Sequence, residues 1–193
     1  GTIKTVEMCE ESYYELDEPS DWEIIENLLK HRKSYQLFSK QLNQIRCVLT
    51  DCDGVLTDGG MYYSENGDEI KKFNTKDGKG FQLLREKGYI TGIITGECNP
   101  LIKKRAEKLK VDILYMGVEN KFEIINRICH DYNLCLNQIA YIGDDENDVE
   151  VVKAVGFGCA TADALSCVKN VARYITISKG GEGAFREIVS LLV

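Results

Sequence analysis

Short apolar segments alternate with longer amphipathic ones from residue 45 to the end of the chain, and this alternation limits the possible folds more than any other feature. The apolar segments predict strands at residues 45–50, 89–94, 112–115 and 138–142. The amphipathic segments predict helices near residues 80–87, 100–109, 120–132 and 147–155, with a last helix after Gly183. This order predicts an α/β fold, a three-layer sandwich in which a mainly parallel sheet lies between helical layers.

A β-hairpin is predicted between the first strand and the first helix. Asn66 and Gly67 separate two β-forming segments, residues 61–63 and 69–73. Asn-Gly is favoured in tight hairpin turns because both residues tolerate positive φ angles. The sequence therefore predicts a hairpin inserted into the α/β domain.

Residues 1–44 differ in pattern from the rest of the chain. An acidic segment leads to Pro19, Ser20 and Asp21, which together are typical of a helix start. One apolar face and a basic end predict a helix over residues 21–38, followed by a polar linker. We expect a helical extension at residues 1–44 and one α/β domain at residues 45–193.

Composition and charge narrow the class of protein. The 193 residues carry a net charge of −7, which argues against nucleic acid and anionic membranes as partners. No apolar stretch reaches the roughly 18–20 residues of a membrane span, and no signal peptide is recognisable. The eight cysteines form no C-x-x-C pair, so they indicate reduced, mostly buried thiols of a cytoplasmic protein.

Four polar clusters lie at the ends of predicted strands or at the start of predicted helices. In an open α/β sheet, ligands bind beyond the carboxyl ends of the strands, so these clusters are candidate functional residues. Any one of them alone is usually a cap, a turn or a solvated side chain. All four in this order are difficult to explain by structure alone: Asp51-Cys52-Asp53-Gly54, Thr95-Gly96, Lys121, and the segment with Asp144, Asp145 and Asp148.

These clusters resemble the four motifs of the haloacid dehalogenase-like (HAD) phosphatases. The chain from about residue 45 to 193 is similar to the branch that acts on phosphates of 2-keto-3-deoxy sugar acids. That branch includes the 3-deoxy-octulosonate 8-phosphate and 3-deoxy-nonulosonate 9-phosphate phosphatases. The resemblance implies a HAD-like Rossmannoid domain and a phosphatase activity that depends on Mg²⁺. Further matches lie at residues 57–60, 72–74, 105–108, 141–145 and 180–183.

The resemblance also implies a role for each motif residue. Asp51 is expected to attack phosphorus as the nucleophile, and Asp53 to serve as general acid and base. Mg²⁺ is expected to bind the carboxylate of Asp51, the backbone carbonyl of Asp53 and Asp144, a set of oxygen ligands that suits this ion. The other roles are binding of the phosphoryl group by Thr95 and Gly96, charge compensation by Lys121, and orientation of ligands by Asp145 and Asp148.

A substrate preference is predicted from the residue after the Thr-Gly motif. The octulosonate phosphatases usually have Arg there, whereas this chain has Glu97, similar to the nonulosonate phosphatases, with Lys108 matching its basic partner. Arg105 and Lys108 lie three residues apart on one predicted helix, so both could meet a substrate carboxylate. Asn74 is a further candidate substrate ligand. The sequence thus predicts a sialic-acid-type nonulosonate 9-phosphate as the substrate, with 3-deoxy-octulosonate 8-phosphate as the alternative.

Residues 14–23 have a resemblance of their own, to the closing segment of acylneuraminate cytidylyltransferases (CMP-sialate synthetases). Some of those enzymes carry a phosphatase of this kind behind the synthetase. We therefore expect the chain to be the phosphatase part of such a bifunctional enzyme, with an unrelated amphipathic helix as the alternative.

Two other classes of protein share parts of the pattern. A response-regulator receiver also has strand-end acids, a threonine and a lysine, but it lacks the second acid of Asp51-x-Asp53, and its acid pair comes early in the chain. A catalytically inactive oligomerisation domain, like the tails of animal CMP-sialate synthetases, has eroded acidic motifs, whereas Asp144 and Asp145 are intact here. The enzyme hypothesis fits better than either alternative.

The spacing of the motifs leaves no room for a cap domain. The hairpin, one helix and one strand occupy the chain between Asp53 and Thr95, and one helix and one strand occupy it between Thr95 and Lys121. A small polar substrate still needs walls that exclude water. We therefore expect a homo-oligomer, most simply a tetramer as in uncapped members of the branch. The aromatic hairpin and a flexible flap at residues 180–183 would complete neighbouring sites.

Overall fold

The computed structural model describes residues 40–66 and 69–193. Within these ranges the strands are β1 (Cys47–Thr50), β2 (Tyr62–Tyr63), β3 (Glu69–Ile70), β4 (Ile90–Ile94), β5 (Ile113–Tyr115), β6 (Ile139–Gly143), β7 (Phe157–Ala160) and β8 (Tyr174–Ile175). The helices are α1 (Thr75–Glu86), α2 (Pro100–Leu109), α3 (Lys121–Asp131), α4 (Val149–Ala154), α5 (Ser166–Lys169) and α6 (Ala184–Leu192). Short 3-10 turns at Leu136–Gln138 and Glu146–Asp148 precede β6 and α4.

Six of these strands form one parallel sheet in the order β5-β4-β1-β6-β7-β8. Strand β1 lies inside the sheet between β4 and β6, and all four of its residues are buried. Helix α1 packs against α2 and α6, whereas α3 packs against α4. The predicted α/β fold with a mainly parallel sheet is confirmed. The strand order reverses between β1 and β6, the kind of position at which open sheets bind ligands.

Helix α1 begins directly after Asn74, earlier than the sequence predicts. The Asn74 side chain accepts a hydrogen bond from the backbone N–H of Lys76 at 2.9 Å and so caps the helix. Gly80 is a poor helix former, but a Cβ at this position would lie only 3.2 Å from Val189 and 3.3 Å from Phe185. The glycine therefore allows α1 and α6 to approach each other closely.

Strands β2 and β3 form the predicted hairpin, although both are shorter than expected. They pair antiparallel, with Tyr62 opposite Ile70 and Tyr63 opposite Glu69. The other strands and helices predicted from residue 45 onward are present, with small differences at their ends. The helix predicted at residues 147–155 divides into a 3-10 turn and α4. Strands β7 and β8 were not predicted from the sequence.

The predictions for the N-terminal region lie outside the described residues. They comprise the helix at residues 21–38 and the cytidylyltransferase-like segment at residues 14–23, so the division into an extension and a domain stays a prediction. Among the residues that the structure covers, no helix combines the length and the apolar character that crossing a membrane requires.

Two stacked aromatic rings are central to the contact between α1 and α6. Phe81 and Phe185 are both fully buried, and their ring centroids are 4.2 Å apart. The change Phe185→Ala would leave a cavity between the helices, so we expect the free energy of unfolding to fall by about 3–5 kcal/mol. Urea denaturation followed by circular dichroism measures this loss. Phe185→Leu, which keeps most of the apolar volume, should lose clearly less, and an alanine variant of wild-type stability would contradict this packing.

Candidate active site

Neighbouring strands bring the predicted motif residues to one edge of the sheet. Asp51 follows β1, Thr95 follows β4 and Asp144 follows β6, and these three strands are adjacent. Lys121 is the first residue of α3. Because parallel strands end at the same edge, the residues beyond these ends enclose one cleft of about 320 Å³. The cleft is lined by Asp51, Asp53, Gly54, Gly59, Met61, Thr95, Gly96, Glu97, Asp144, Asp145 and Asn147.

A buried lysine connects the acidic residues behind this cleft. The Lys121 ammonium donates to Asp51 Oδ2 and to Asp148 Oδ1, each at 2.7 Å. The side chains of Lys121 and Asp148 are completely buried. Asp148 also accepts hydrogen bonds from the Tyr141 hydroxyl at 2.6 Å and from the backbone N–H of Asp144 at 2.9 Å. The carboxylate of Asp148 is thus occupied by donors from the chain itself.

Burial and crowding raise the pKa of two carboxyl groups in this cluster. The pKa of Asp51 is raised to about 7, because burial disfavours its charge and Asp148 repels it, although Lys121 acts in the opposite direction. The pKa of Asp144 is raised to about 8 by burial, by Asp51 and by Asp148. Burial disfavours the charge of Lys121, but the two aspartates outweigh this effect and raise its pKa. Three carboxyl groups therefore share one ammonium, and the cluster is short of positive charge.

The same cluster has the composition of a divalent-cation site. Carboxylate oxygens of Asp51, Asp144 and Asp148 lie within 4.8 Å of one another. Asp144 Oδ1 is buried and has no hydrogen-bond partner among the described residues. A hard cation such as Mg²⁺ prefers oxygen ligands of this kind. Asp148 is fully buried and accepts two hydrogen bonds at each of its oxygens, whereas Asp51 and Asp144 line the cleft, so these two carboxylates fit such an ion best.

Glycines bring the loop after β1 into close contact on two sides. Gly54 has a φ of 78°, and a Cβ there would lie 1.9 Å from Asp144 Oδ2, so a larger residue does not fit. On the other side, the Gly181 N–H donates to the Val55 carbonyl at 2.9 Å. A Cβ on Gly180 would lie 2.0 Å from the Gly54 carbonyl oxygen. The segment that was expected to be a flexible flap is instead packed against this loop.

Asp53 belongs to an ionic cluster that the sequence analysis missed. Lys71, which follows β3 directly, donates to Asp53 Oδ1 at 2.8 Å and forms an ion pair with Glu97. Glu69 Oε1 lies 3.5 Å from the same ammonium. The predicted substrate ligand Glu97 lines the cleft, but its carboxylate has a partner within the chain. Alternation continued past β3 would direct Lys71 away from the face of Ile70, but it does not indicate Asp53 as the partner, so the sequence alone does not identify this contact.

The remaining cleft residues follow β4 and β6. Thr95 is buried, and its hydroxyl accepts a hydrogen bond from the backbone N–H of Glu97 at 3.3 Å. Asp145 is exposed, and its carboxylate caps the following 3-10 turn by accepting from the Glu146 N–H at 2.7 Å. Asn147, which the sequence analysis did not select, accepts a hydrogen bond from the Lys121 ammonium at 3.3 Å.

Three predicted substrate ligands do not line this cleft. Arg105 and Lys108 line a second cavity of about 340 Å³ beside the end of the hairpin. The Arg105 guanidinium lies 5.2 Å from the centroid of the Phe73 ring and donates to the Asn74 carbonyl at 3.1 Å. The side-chain amide of Asn74 caps α1 and donates to the Gly181 carbonyl at 3.0 Å. Asn74 therefore has a structural role, because its side chain joins the start of α1 to the C-terminal segment.

Known proteins share this sequence and architecture. The family model of haloacid dehalogenase-like hydrolases matches residues 94–188. The 3-deoxy-D-manno-octulosonate 8-phosphate phosphatase of Haemophilus influenzae is 34% identical over 154 residues, which cover 80% of this chain and 86% of that protein. A crystal structure of a probable YrbI-family phosphatase from Pseudomonas syringae has a TM-score of 0.79 and 40% identity, covering 81% of this chain and 89% of that one.

A further structure shows a relative with its ligands. The 3-deoxy-D-manno-octulosonate 8-phosphate phosphatase of Moraxella catarrhalis was crystallised with a magnesium ion, a phosphate ion and a 3-deoxy-D-manno-octulosonate (KDO) molecule. It is 33% identical with a TM-score of 0.78, and the match covers 80% of this chain and 88% of that one. With this identity and coverage, the chain belongs to the HAD-like hydrolases, among the phosphatases of the 3-deoxy-D-manno-octulosonate 8-phosphate phosphatase type.

Proposed function

We propose that this protein is a magnesium-dependent phosphatase that hydrolyses 3-deoxy-D-manno-octulosonate 8-phosphate through an aspartyl-phosphate intermediate. The observation that carries the proposal is the position of Asp51. Its carboxylate lines the cleft, is bound by the Lys121 ammonium at 2.7 Å, and lies in one cluster with Asp144. A nucleophile, a cation to balance its charge and a metal-binding acid are the groups that phosphoryl transfer to a carboxylate requires.

Asp51 acts as the nucleophile in the first step. Its Oδ1 accepts a hydrogen bond from the Cys52 N–H at 2.6 Å, and its Oδ2 accepts the one from Lys121. Both bonds favour the charged carboxylate and fix its direction. The carboxylate attacks phosphorus in line while the bond from phosphorus to the sugar oxygen breaks. Water then attacks phosphorus, which releases phosphate and restores Asp51.

Asp53 moves the protons in this mechanism. It gives a proton to the sugar oxygen as that oxygen leaves, and it takes a proton from the attacking water in the second step. Its side chain is held by the Thr57 hydroxyl at 3.1 Å and by Lys71, which separates it from the cluster around the nucleophile. The Thr95 hydroxyl and the backbone of Gly96 border the cleft, where they would bind the oxygens of the phosphoryl group.

The carboxylates of Asp51 and Asp144 and the backbone carbonyl of Asp53 would hold Mg²⁺. When bound, the ion supplies positive charge beside the phosphoryl oxygens, which would otherwise repel an attacking carboxylate. The unpaired Oδ1 of Asp144 and the excess of carboxyl groups support this assignment. Lys121 and Asp148 would keep the nucleophile in place from behind.

Two observations favour the eight-carbon substrate over the nine-carbon one predicted from the sequence. The Haemophilus and Moraxella relatives are octulosonate 8-phosphate phosphatases. Glu97, the residue that suggested a nonulosonate, is paired with Lys71 through one of its oxygens, so the chain itself uses part of its capacity to accept hydrogen bonds. The link to a sialate synthetase stays a prediction, since it depends on residues 14–23.

A homo-oligomer, most simply a tetramer, is a second part of this proposal. The hairpin exposes an apolar surface, and surfaces of this kind mark sites of protein association. Arg105 and Lys108 line a cavity beside the hairpin, so a neighbouring subunit could bring these cations to the cleft, where they would meet a substrate carboxylate. The side chains of the hairpin surface are 43–64% exposed: Met61, Tyr62, Tyr63 and Ile70.

The substrate assignment predicts the outcome of a phosphate-release assay with Mg²⁺. The wild-type protein should have a higher kcat/KM for 3-deoxy-D-manno-octulosonate 8-phosphate than for nine-carbon nonulosonate 9-phosphates. Asp51→Asn should release no phosphate from any of them, because an amide is a poor nucleophile. The control Asp131→Asn removes the same charge at the far end of α3 and should keep wild-type rates. Turnover by Asp51→Asn would refute the mechanism, and a preference for nine carbons would refute the substrate.

The metal assignment predicts opposite effects of one change with and without the ion. In EDTA, Asp144→Asn should raise the melting temperature, because the raised pKa of Asp144 means that its charge opposes folding. This gain should be small near pH 4 and should grow as the pH rises towards about 8, the range between the unfolded and folded pKa values. Saturating Mg²⁺ should stabilise the wild type, by about 2.7 kcal/mol at 100 times its Kd, but not the variant. Equal stabilisation of both proteins by Mg²⁺ would exclude Asp144 as a ligand.

The assembly proposal predicts that charges on the hairpin surface separate the subunits. Multi-angle light scattering should give the mass of a tetramer for the wild type and a smaller mass for Tyr63→Lys with Ile70→Lys. Ile177→Lys is a control at an isoleucine that is 89% exposed elsewhere on the surface, and it should keep the wild-type mass. A wild-type monomer at micromolar concentration with full activity would contradict the proposal.

A further inference from the structure

A lysine of the hairpin is buried against the proposed acid/base residue. Lys71 Nζ lies 2.8 Å from Asp53 Oδ1 and contacts Glu97. Its side chain is only 3% exposed, whereas that of the next residue, Lys72, is 62% exposed. Lysine is almost never fully buried unless its charge is paired. Two adjacent lysines thus differ completely in environment, and only Lys71 is directed at Asp53.

The contacts of Asp53 determine which of its oxygens can carry a proton. The Thr57 hydroxyl, at 3.1 Å, and the Lys71 ammonium both donate to Oδ1. An ammonium group can only donate hydrogen bonds, so the oxygen that faces it has to be an acceptor. In the acid form of Asp53 the proton therefore resides on Oδ2. The lysine fixes both the direction of the carboxyl group and the oxygen from which the proton leaves.

Lys71 is itself held by two further carboxylates, and one of them, Glu97, also contacts the Asp53 side chain. Glu97, in the turn after β4, binds its ammonium, and Glu69 Oε1 lies 3.5 Å away. Glu69 is in turn fixed by the Asn99 amide, which donates to its Oε2 at 2.7 Å. These contacts join the hairpin, the loop after β1 and the turn after β4. Because the Lys71 side chain is buried, a rearrangement that removed these partners would leave its charge unpaired, so the cluster resists rearrangement.

We propose that Lys71 is a positioning residue, which holds Asp53 so that Oδ2 presents its proton to the leaving oxygen of the substrate. The inference rests on the proposed function, because it assumes that Asp53 is the general acid. As the bond between phosphorus and the leaving oxygen breaks, the proton passes from Asp53 Oδ2 to that oxygen. Lys71 keeps all of its protons throughout and need not touch the substrate.

Substrates with different leaving groups test this assignment. A sugar alkoxide needs a proton to leave, whereas the p-nitrophenolate of p-nitrophenyl phosphate leaves without one. General acid catalysis is typically worth roughly 10²–10⁴-fold, so Asp53→Asn should lose about that factor in kcat/KM on 3-deoxy-D-manno-octulosonate 8-phosphate and far less on p-nitrophenyl phosphate. This ratio reports the transfer to Asp51, whereas kcat also includes the later hydrolysis, in which Asp53 acts as a base on both substrates. Lys71→Met should show the same selective loss, of at least about 10²-fold. Its KM should stay near the wild-type value.

A double-mutant cycle separates positioning from a general structural effect. If Lys71 acts through Asp53, then Lys71→Met should add little further loss in the Asp53→Asn background, so the two effects should not be additive. Lys72→Met removes the same charge from the same end of the hairpin and should leave both activities close to wild type. Lys71→Arg keeps the charge but alters the reach, and it should lose an intermediate factor on the sugar phosphate alone.

Each outcome decides for or against the inference. Thermal melting identifies variants that fail to fold, and Lys71→Arg supplies the test if Lys71→Met is one of them. Equal losses on the two substrates, or full additivity with Asp53→Asn, would overturn the role of Lys71. If the wild type hydrolyses neither substrate with Mg²⁺, the proposed function fails. If the wild type is active and Lys71→Arg and Lys71→Met are both selective for the sugar phosphate, the inference holds.

Discussion

The ammonium of Lys121, buried between the carboxylates of Asp51 and Asp148, is the contact on which the arrangement of the cleft depends. It joins the end of β1, the start of α3 and the turn after β6, which are far apart in the sequence. Loss of one partner from such a buried pair typically costs about 3–5 kcal/mol, because the remaining charge has no water to solvate it. Removal of either partner would therefore disturb both the position of Asp51 and the edge of the sheet.

One ammonium does not balance this cluster, and the imbalance explains the electrostatics of the site. Burial raises the pKa of both Asp51 and Asp144, and each carboxylate disfavours the charge of its neighbours. A chain that only needed stability would place neutral groups here, since a well-packed apolar core is often at least as stable as buried charges. This loss of stability is understandable if the cleft binds a divalent cation. The crowded carboxylates would then destabilise the fold without the ion and bind the ion when it is present.

The sequence predicted those parts of the protein that depend on periodicity and on strand ends. Because adjacent parallel strands end at one edge, the positions of Asp51, Thr95 and Asp144 along the chain were enough to bring them together. Contacts between side chains of distant elements were not predictable. Lys71 is one example, since a lysine in a short hairpin is usually solvated. Asn74 is another example. It caps α1, but the glycines near the beginning of this helix disfavour helix formation, so the sequence did not predict that the helix begins there.

The hairpin has two faces, and strand geometry couples their roles. The segment that follows β3 continues the alternation of a strand: Ile70 and Lys72 are exposed, whereas the side chain of Lys71, between them, is buried. A shift of the hairpin by one residue would reverse this order, exposing the lysine and burying an isoleucine against carboxylates. An isolated two-stranded hairpin is only marginally stable, so packing of its outer face against another subunit would fix its register. Association of subunits and the orientation of Asp53 would then depend on the same short strand.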